Sequence, residues 1–434
     1  MRHLATIAAI MVAAPAVAQP AKDWVDPLTG HRVVQVSRDP GSVNLYFHQN
    51  SYLPQGDKMV FLGPQGIMIA DLKTWAVKPL VTQKGAVLLF TGHRTRNVYF
   101  ASRERDDSGT PFDVMAADAD TGKIRKIATV PGGWIGSINA DETLLLGQVA
   151  TAVVPLKPDG TLARGNGEQN APGMNDYREN WPDGRPMTYA DAKEVHMNRR
   201  LDAGVPMEIF TIDTRTGARK VVTASTDWLN HVQFSPTDPM QIMYCHEGPW
   251  HRVDRIWTIR ADGTGKTLVH ERRMNMEIAG HEFWSSDGKT IWYDLQTPRG
   301  QVFWVAGYDL ATGKRTWYNL DRNQWSVHFN QTRDGRRFSG DGGDSEMVAK
   351  APDGKYLYLF TPKAIPDVAG IHADNAEKLI VPGTFESEKL VDMRKQDYRM
   401  EPNMTFTPDG KWAVFRGNLD GAAQVYAVEL AKAK

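Results

Sequence analysis

Apolar and polar positions alternate along most of this chain in short runs, and the runs break at polar turns that recur. An apolar run enters a turn that usually contains Asp-Gly and a second β-rich run leaves it. Examples are FSPTDPMQIMY (234–244), FWSSDGKTIWY (283–293), FNQTRDGRRFSG (329–340) and FTPDGKWAVF (406–415). Asp-Gly between apolar runs signals a hairpin, because glycine accepts the positive φ that such turns require. A second hairpin follows in most units, at ADADTGKIRKI (117–127), IDTRTGARKVV (212–222), IRADGTGKTLV (259–269) and YDLATGKRTWY (308–318). More divergent units fall at SYLPQGDKMVF (51–61), GHRTRNVYF (92–100) and INADETLLLG (138–147). Seven such units predict an all-β chain, folded as a seven-bladed β-propeller with four-stranded antiparallel blades. No stretch carries the long 3.6-residue periodicity of a helical domain, so strands and loops are expected to account for nearly everything. Two stretches interrupt the repeat, at 154–195 and 361–400. Both are expected as long loops that could wall or cover a cleft.

The repeat register carries a geometric expectation. Six residues before the turn aspartates Asp287, Asp334 and Asp409 stand His281, His328 and Asn403; where the turn is one residue longer, His231 stands seven before Asp238. Equivalent positions in different blades are related by rotation about the propeller axis. Residues at the entrance of each innermost strand therefore point toward one central funnel. His231, His281, His328 and Asn403 are predicted to converge there, with His48 in a similar place ahead of the first unit. The bland alternative is that each caps a neighbouring backbone group.

Composition narrows the function. The 434 residues balance 51 Lys and Arg against 51 Asp and Glu, so the chain lacks the cationic field of a general nucleic-acid binder. Its single cysteine, Cys245, excludes an internal disulfide and a four-cysteine zinc site, and reads as a small buried filler. Met1-Arg2-His3, the apolar run from Leu4 to Val17 and the small residues Ala16-Val17-Ala18 read as a signal peptide over 1–18. That leaves a single domain at 19–434, in the periplasm or secreted. No later stretch has the apolar length of a membrane span.

Imidazole is the side chain that titrates nearest neutrality, and it serves as a base or as a neutral metal ligand. Arg255, in VDRIW, leaves the His231 unit, while Arg199 and Arg200 follow the first insertion in HMNRR. Histidines, arginines and an oxygen-rich cation site suit a substrate that bears carboxylates, namely an acidic oligosaccharide. Once a uronate carboxylate is neutralised, its α proton is acidic enough for a side-chain base, and loss of the neighbouring ring oxygen breaks the chain by β-elimination. A nucleophile elbow and H-E-x-x-H are both absent; His246-Glu247-Gly248-Pro249 and His281-Glu282-Phe283-Trp284 lack the second histidine.

At these residues the chain resembles the oligogalacturonate lyases, seven-bladed propellers of pectin breakdown that cleave short uronate chains by β-elimination. The resemblance begins at TGHRVVQVS (29–37) and NLYFHQNSYL (44–53). It is most specific at YCHEGPW (244–250), VDRIW (253–257) and GHEFW (280–284), and closes with PNMTFTPDGKWAVF (402–415). It implies that His281 is the Brønsted base, that Arg255 faces the substrate carboxylate, and that His328 binds a divalent metal such as manganese. The family's remaining ligands, Q-x-x-H-x-H before FTP, fall on Tyr398, Glu401 and Asn403. Glu401 and Asn403 with His328 then imply manganese or calcium, while Tyr398 is left to contact sugar, as are Arg199, Arg200, His231 and His246.

Two rivals stand beside the lyase. One is a non-catalytic periplasmic propeller that binds an oligosaccharide or a protein partner, since a fold does not fix a function. The other is a glycoside hydrolase using Asp341 or Asp344 with Glu401.

Overall fold

Short alternating runs become strands throughout the protein. The structure, a computed structural model, describes residues 22–102, 110–152, 154, 179–344, 348–370 and 373–433. The predicted signal peptide and positions 155–178 of the first insertion lie outside the described residues. Among those described, 28 strands gather into six sheets of three, four, four, four, five and eight strands. The fold is all-β.

Each hairpin turn read from the sequence joins two antiparallel strands except that at 51–61, where the isolated bridge of Tyr52 with Met59 stands in place of the first strand. In the FWSSDGKTIWY unit, Ile278–Trp284 pairs with Thr290–Gln296, and Gly288 turns the corner at φ 68°. A side chain there would meet Thr237 Oγ1 at 2.2 Å, so both conformation and space require glycine. The eight-stranded sheet consists of two antiparallel halves, 278–320 and 329–392. They are joined by a parallel pairing of Arg315–Leu320 with Val381–Asp392, from Thr316 opposite Val381 to Asn319 opposite Thr384. In the five-stranded sheet the two ends of the chain meet: His31–Gln35 pairs with Gln424–Lys432, placing Val33 opposite Val428.

Apolar residues fill the gaps between successive sheets. One cluster joins Leu89, Tyr99 and Val114 to Ile135, Leu145 and Phe210; the next joins Leu146 and Ile209 to Phe234 and Tyr244. The succession ends where the sheet holding both chain ends packs Val34, Val414 and Ala427 on Met59, Phe61 and Ala70 of the 58–81 sheet. Last therefore packs on first, and the chain needs no exposed end of its stack.

Two expectations change. Residues Tyr189–Ala203 form a 15-residue α-helix, capped by Thr188, whose side chain accepts from the Asp191 N–H, and closed by left-handed Gly204. Its sequence hides it, because among its described side chains only Ala192 and Met197 are buried and the apolar stripe is too narrow to register as a period. Part of the 361–400 stretch is strand and not loop. Tyr356–Ala364 and Val381–Asp392 make a long hairpin, held by pairs from Tyr356 opposite Asp392 to Ala364 opposite Gly383.

The closing sheet gives a test of the fold. Phe415 is fully buried and stacks on Tyr426 with ring centroids 5.4 Å apart. Phe415→Ala should lower the unfolding free energy by about 3–5 kcal/mol, measured by denaturant titration.

Candidate active site

Three residues picked out by the repeat register share one unusual backbone conformation. His231, His281 and Asn403 have φ of 47°, 48° and 50°, in the left-handed region that residues with a Cβ seldom occupy. The strand ladders break at the two histidines, between Asn230 and Gln233 and between Gly280 and Phe283. Each break turns a side chain out of the pleat, as a bulge does. His328 does not share the conformation but reaches the same centre.

His281 is held by one buried carboxylate. Its Nδ1 lies 2.9 Å from Oδ1 of Asp294, on the neighbouring strand opposite Gly280. An alanine at 280 would bring its Cβ to 3.0 Å from that oxygen. With Nδ1–H donating to Asp294, Nε2 carries the lone pair, and the side chain is 25% exposed while Asp294 is buried. This is the arrangement of an oriented base.

His328 is held by another. Its Nδ1 donates to Oδ2 of Asp341 at 2.7 Å and its backbone N–H to Oδ1 at 2.8 Å. Its Nε2 is 3.1 Å from the Tyr46 hydroxyl and 3.8 Å from Oε2 of Glu401. The ring stacks on Phe47 at 4.6 Å and meets the edge of His281 at 4.8 Å. Burial pushes the His328 pKa well down, so the ring is neutral. Burial pushes the Asp341 carboxyl up to about 7, against the N–H groups of His328 and Asn403 that favour its ionised form.

On the far side of Tyr46, His231 lies with its ring 5.5 Å from the tyrosine and 5.8 Å from His48. Its Nε2 is 3.6 Å from Oε2 of Glu247. Arg255 Nε donates to Oε2 of Glu282 at 2.9 Å, both side chains nearly buried. Burial works against ionisation of Glu282, but Arg255 and then His231 outweigh it and hold the carboxyl at about 2. For His48, burial first and His231 next lower the pKa to about 3, so this imidazole is neutral as well.

A family model described as oligogalacturonate lyase matches residues 172–434, more than half of the chain. The protein belongs to the oligogalacturonate lyase family. It is 24% identical over 430 residues to the oligogalacturonide lyase of Pectobacterium atrosepticum, covering 94% of this chain and 95% of that one. It is also 24% identical over 424 residues to the oligogalacturonate lyase of Dickeya dadantii, with the same coverage. Solved structures of similar fold include an oligogalacturonate lyase in complex with manganese, at a TM-score of 0.69 and 21% identity over 95% of this chain and 97% of that one. Another is the oligogalacturonate lyase of Vibrio parahaemolyticus, at a TM-score of 0.70 and 19% identity over 96% and 98%.

Within this family member, several residues expected at the site stand elsewhere or serve another purpose. His246 points to the opposite face of its strand from Cys245 and Glu247, with Nδ1 2.6 Å from Asp227 Oδ2 and Trp257 against its ring. Tyr398 is sealed in the core and donates to the backbone oxygen of Asp341 at 2.9 Å, so it cannot touch sugar. Asn403 spends its amide on the backbone: Oδ1 accepts from Phe47 N–H at 3.1 Å and Nδ2 donates to the Glu401 carbonyl at 3.0 Å. The amide is thereby turned to the backbone on both its oxygen and its nitrogen side. Arg199 and Arg200 lie on the helix, Arg199 paired with Glu179 at 2.5 Å and Arg200 over the Trp228 ring at 4.6 Å.

Sequence reasoning passed over Tyr46, Glu247, Glu282 and Asp294. A signal was available, since GHEFW, YCHEGP and IWYDLQ each set a lone acid inside an apolar strand, and a buried carboxylate must find a partner.

The Glu282–Arg255 pair yields a test. An unfolded glutamate titrates near about 4.3, above the folded Glu282 at about 2. Its stabilisation is therefore complete above the unfolded value and is lost as pH falls through the folded one. Glu282→Gln should cost about 3–5 kcal/mol near neutral pH and flatten the loss of stability in acid. Denaturant titrations of both proteins across that range check this.

Proposed function

We propose that the protein is a lyase that cleaves uronate-containing oligosaccharides by β-elimination, with His281 as the base. The carrying observation is the buried Asp294 that orients His281, with His328 4.8 Å away, in a chain of this family. Nε2 of His281 takes the C5 proton of the uronate beside the scissile bond; the C5–H electron pair becomes the C4–C5 double bond, and the C4–O bond breaks with its pair on the departing glycosidic oxygen, which is protonated by water. Arg255, fixed by Glu282, supplies positive charge to the substrate carboxylate.

His328 and Glu401 fit a divalent cation. A neutral imidazole nitrogen and a carboxylate oxygen 3.8 Å apart can share one ion, and Asp341 fixes the imidazole as a supporting partner does in metal sites. Two protein ligands leave the other positions to water and substrate, and such a nitrogen–oxygen set suits manganese or calcium. When bound, the ion neutralises the uronate carboxylate and acidifies the C5 proton. Asn403 and Tyr398 take the role of scaffold.

The architecture we propose is a seven-bladed propeller. The closing sheet, the two halves of the eight-stranded sheet and the four smaller sheets make seven units, which pack in succession with last on first. In this reading residues 19–434 form one domain, exported to the periplasm or beyond after loss of 1–18. No helix among the described residues is long and apolar enough to cross a membrane. Hydrolysis through Asp341 finds no support, because that side chain is wholly buried beneath His328 and Asn403.

Incubation with oligogalacturonate and glucuronan oligomers tests the function. The expected result is a rising short-wavelength ultraviolet absorbance from unsaturated uronate, formed about 10²–10⁴-fold more slowly by His281→Ala. Products each heavier by one water, without that absorbance, would favour hydrolysis. Full activity in His281→Ala would remove the assigned base.

A further inference from the structure

We propose that His231, Cys245 and Glu247 form a second cation site, for a thiolate-seeking ion of the zinc class, separate from the His328–Glu401 pair. Their ligand atoms, one imidazole nitrogen, one sulfur and one carboxylate oxygen, all lie within 4.8 Å of one another. The fold places them there for stated reasons. Cys245 and Glu247 are two apart on the strand Gln241–Glu247 and so share a face, while the ladder break after Asn230 turns His231 toward that face. Glu247 is further fixed by Asn230 Nδ2 at 2.5 Å.

The chemistry of the trio differs from that of the other pair. Thiolate and imidazole select zinc-like ions, whereas an imidazole and a carboxylate leave the choice to harder ones. Charge is balanced on binding: Cys245 releases its thiol proton to solvent, the S–H bond is replaced by S–metal, and thiolate plus Glu247 carboxylate offset a doubly charged ion. Two cationic side chains act on this pocket. Burial raises the Cys245 thiol pKa well above its ordinary value and Arg255, paired with Glu282 at 2.9 Å, opposes this only in part, so the thiol keeps its proton until an ion displaces it; Lys193 acts on Glu247.

A second observation points to the same place. His48 stands with its ring 5.8 Å from that of His231, and its Nε2 is buried without a hydrogen-bond partner. A buried polar ring nitrogen left without a partner is costly. Three protein ligands leave a fourth position on a tetrahedral ion, and water bound there would give His48 a hydrogen-bond partner.

The site has a signature that no lyase assay provides. Metal-stripped protein titrated with cobalt(II) should bind a tightly held equivalent that shows a cobalt–thiolate charge-transfer band, with release of about one proton per ion. His231→Gln, a change at a partly exposed position, and Cys245→Ser should each weaken zinc binding by at least the roughly 10–100-fold that loss of a supporting partner costs a metal site. Cys245→Ser should abolish the band, and His328→Ala should keep it. Absence of the band in the wild-type protein, zinc affinity unchanged in either trio variant, or loss of the band in His328→Ala would overturn the inference. Elimination is read independently, so a protein that forms unsaturated products without a cobalt–thiolate band loses this site and keeps its lyase function.

Discussion

Two carboxylates buried between strands, Asp294 and Asp341, hold the chemistry of this protein in place. Each accepts a hydrogen bond from the Nδ1–H of one imidazole, at 2.9 Å for His281 and 2.7 Å for His328, and so fixes both the ring plane and the tautomer. An imidazole tied at Nδ1 presents a lone pair at Nε2. For His281 that lone pair meets the open side of the site. For His328 it meets Tyr46 and Glu401. Without these anchors the two rings would rotate, and the 4.8 Å edge-to-face contact between them would not persist.

The second constraint is the backbone. A histidine in the left-handed region is strained, and the structure tolerates it at 231 and 281 because the ladder on either side of each break is intact. The break lets His281 and its neighbour Glu282 both serve the centre, one through Asp294 and the other through Arg255. Regular alternation would have sent one of them away. The same device at Asn403 is used differently: its amide ties together the Phe47 and Glu401 backbones, and its N–H supports Asp341 at 3.2 Å.

How much of this was legible follows from the kind of signal each feature leaves. The hairpins were legible because Asp-Gly turns and apolar alternation are local. The approach of His281 to His328 was legible because rotation between repeats turns sequence register into spatial proximity. The helix at 189–203 was not, since only two of its described side chains are buried, and the strand extensions within 361–400 were hidden by prolines and polar residues near the hairpin tip. His246 was misassigned because its face depends on strand parity across a motif, and Tyr398 because a phenol that caps a buried carbonyl looks the same in sequence as one that stacks on sugar. Cys245 was read as a filler and Glu247 was given no role; only the pleat shows that they share a face with His231.

Removal of the C5 proton by His281 is the event on which the catalytic reading rests, and deuterium at C5 of a uronate oligomer measures it. The expected result is a several-fold slower turnover of the labelled substrate, with unsaturated products that have lost the label. Unchanged turnover with the deuterium still on C5 of the products would contradict it.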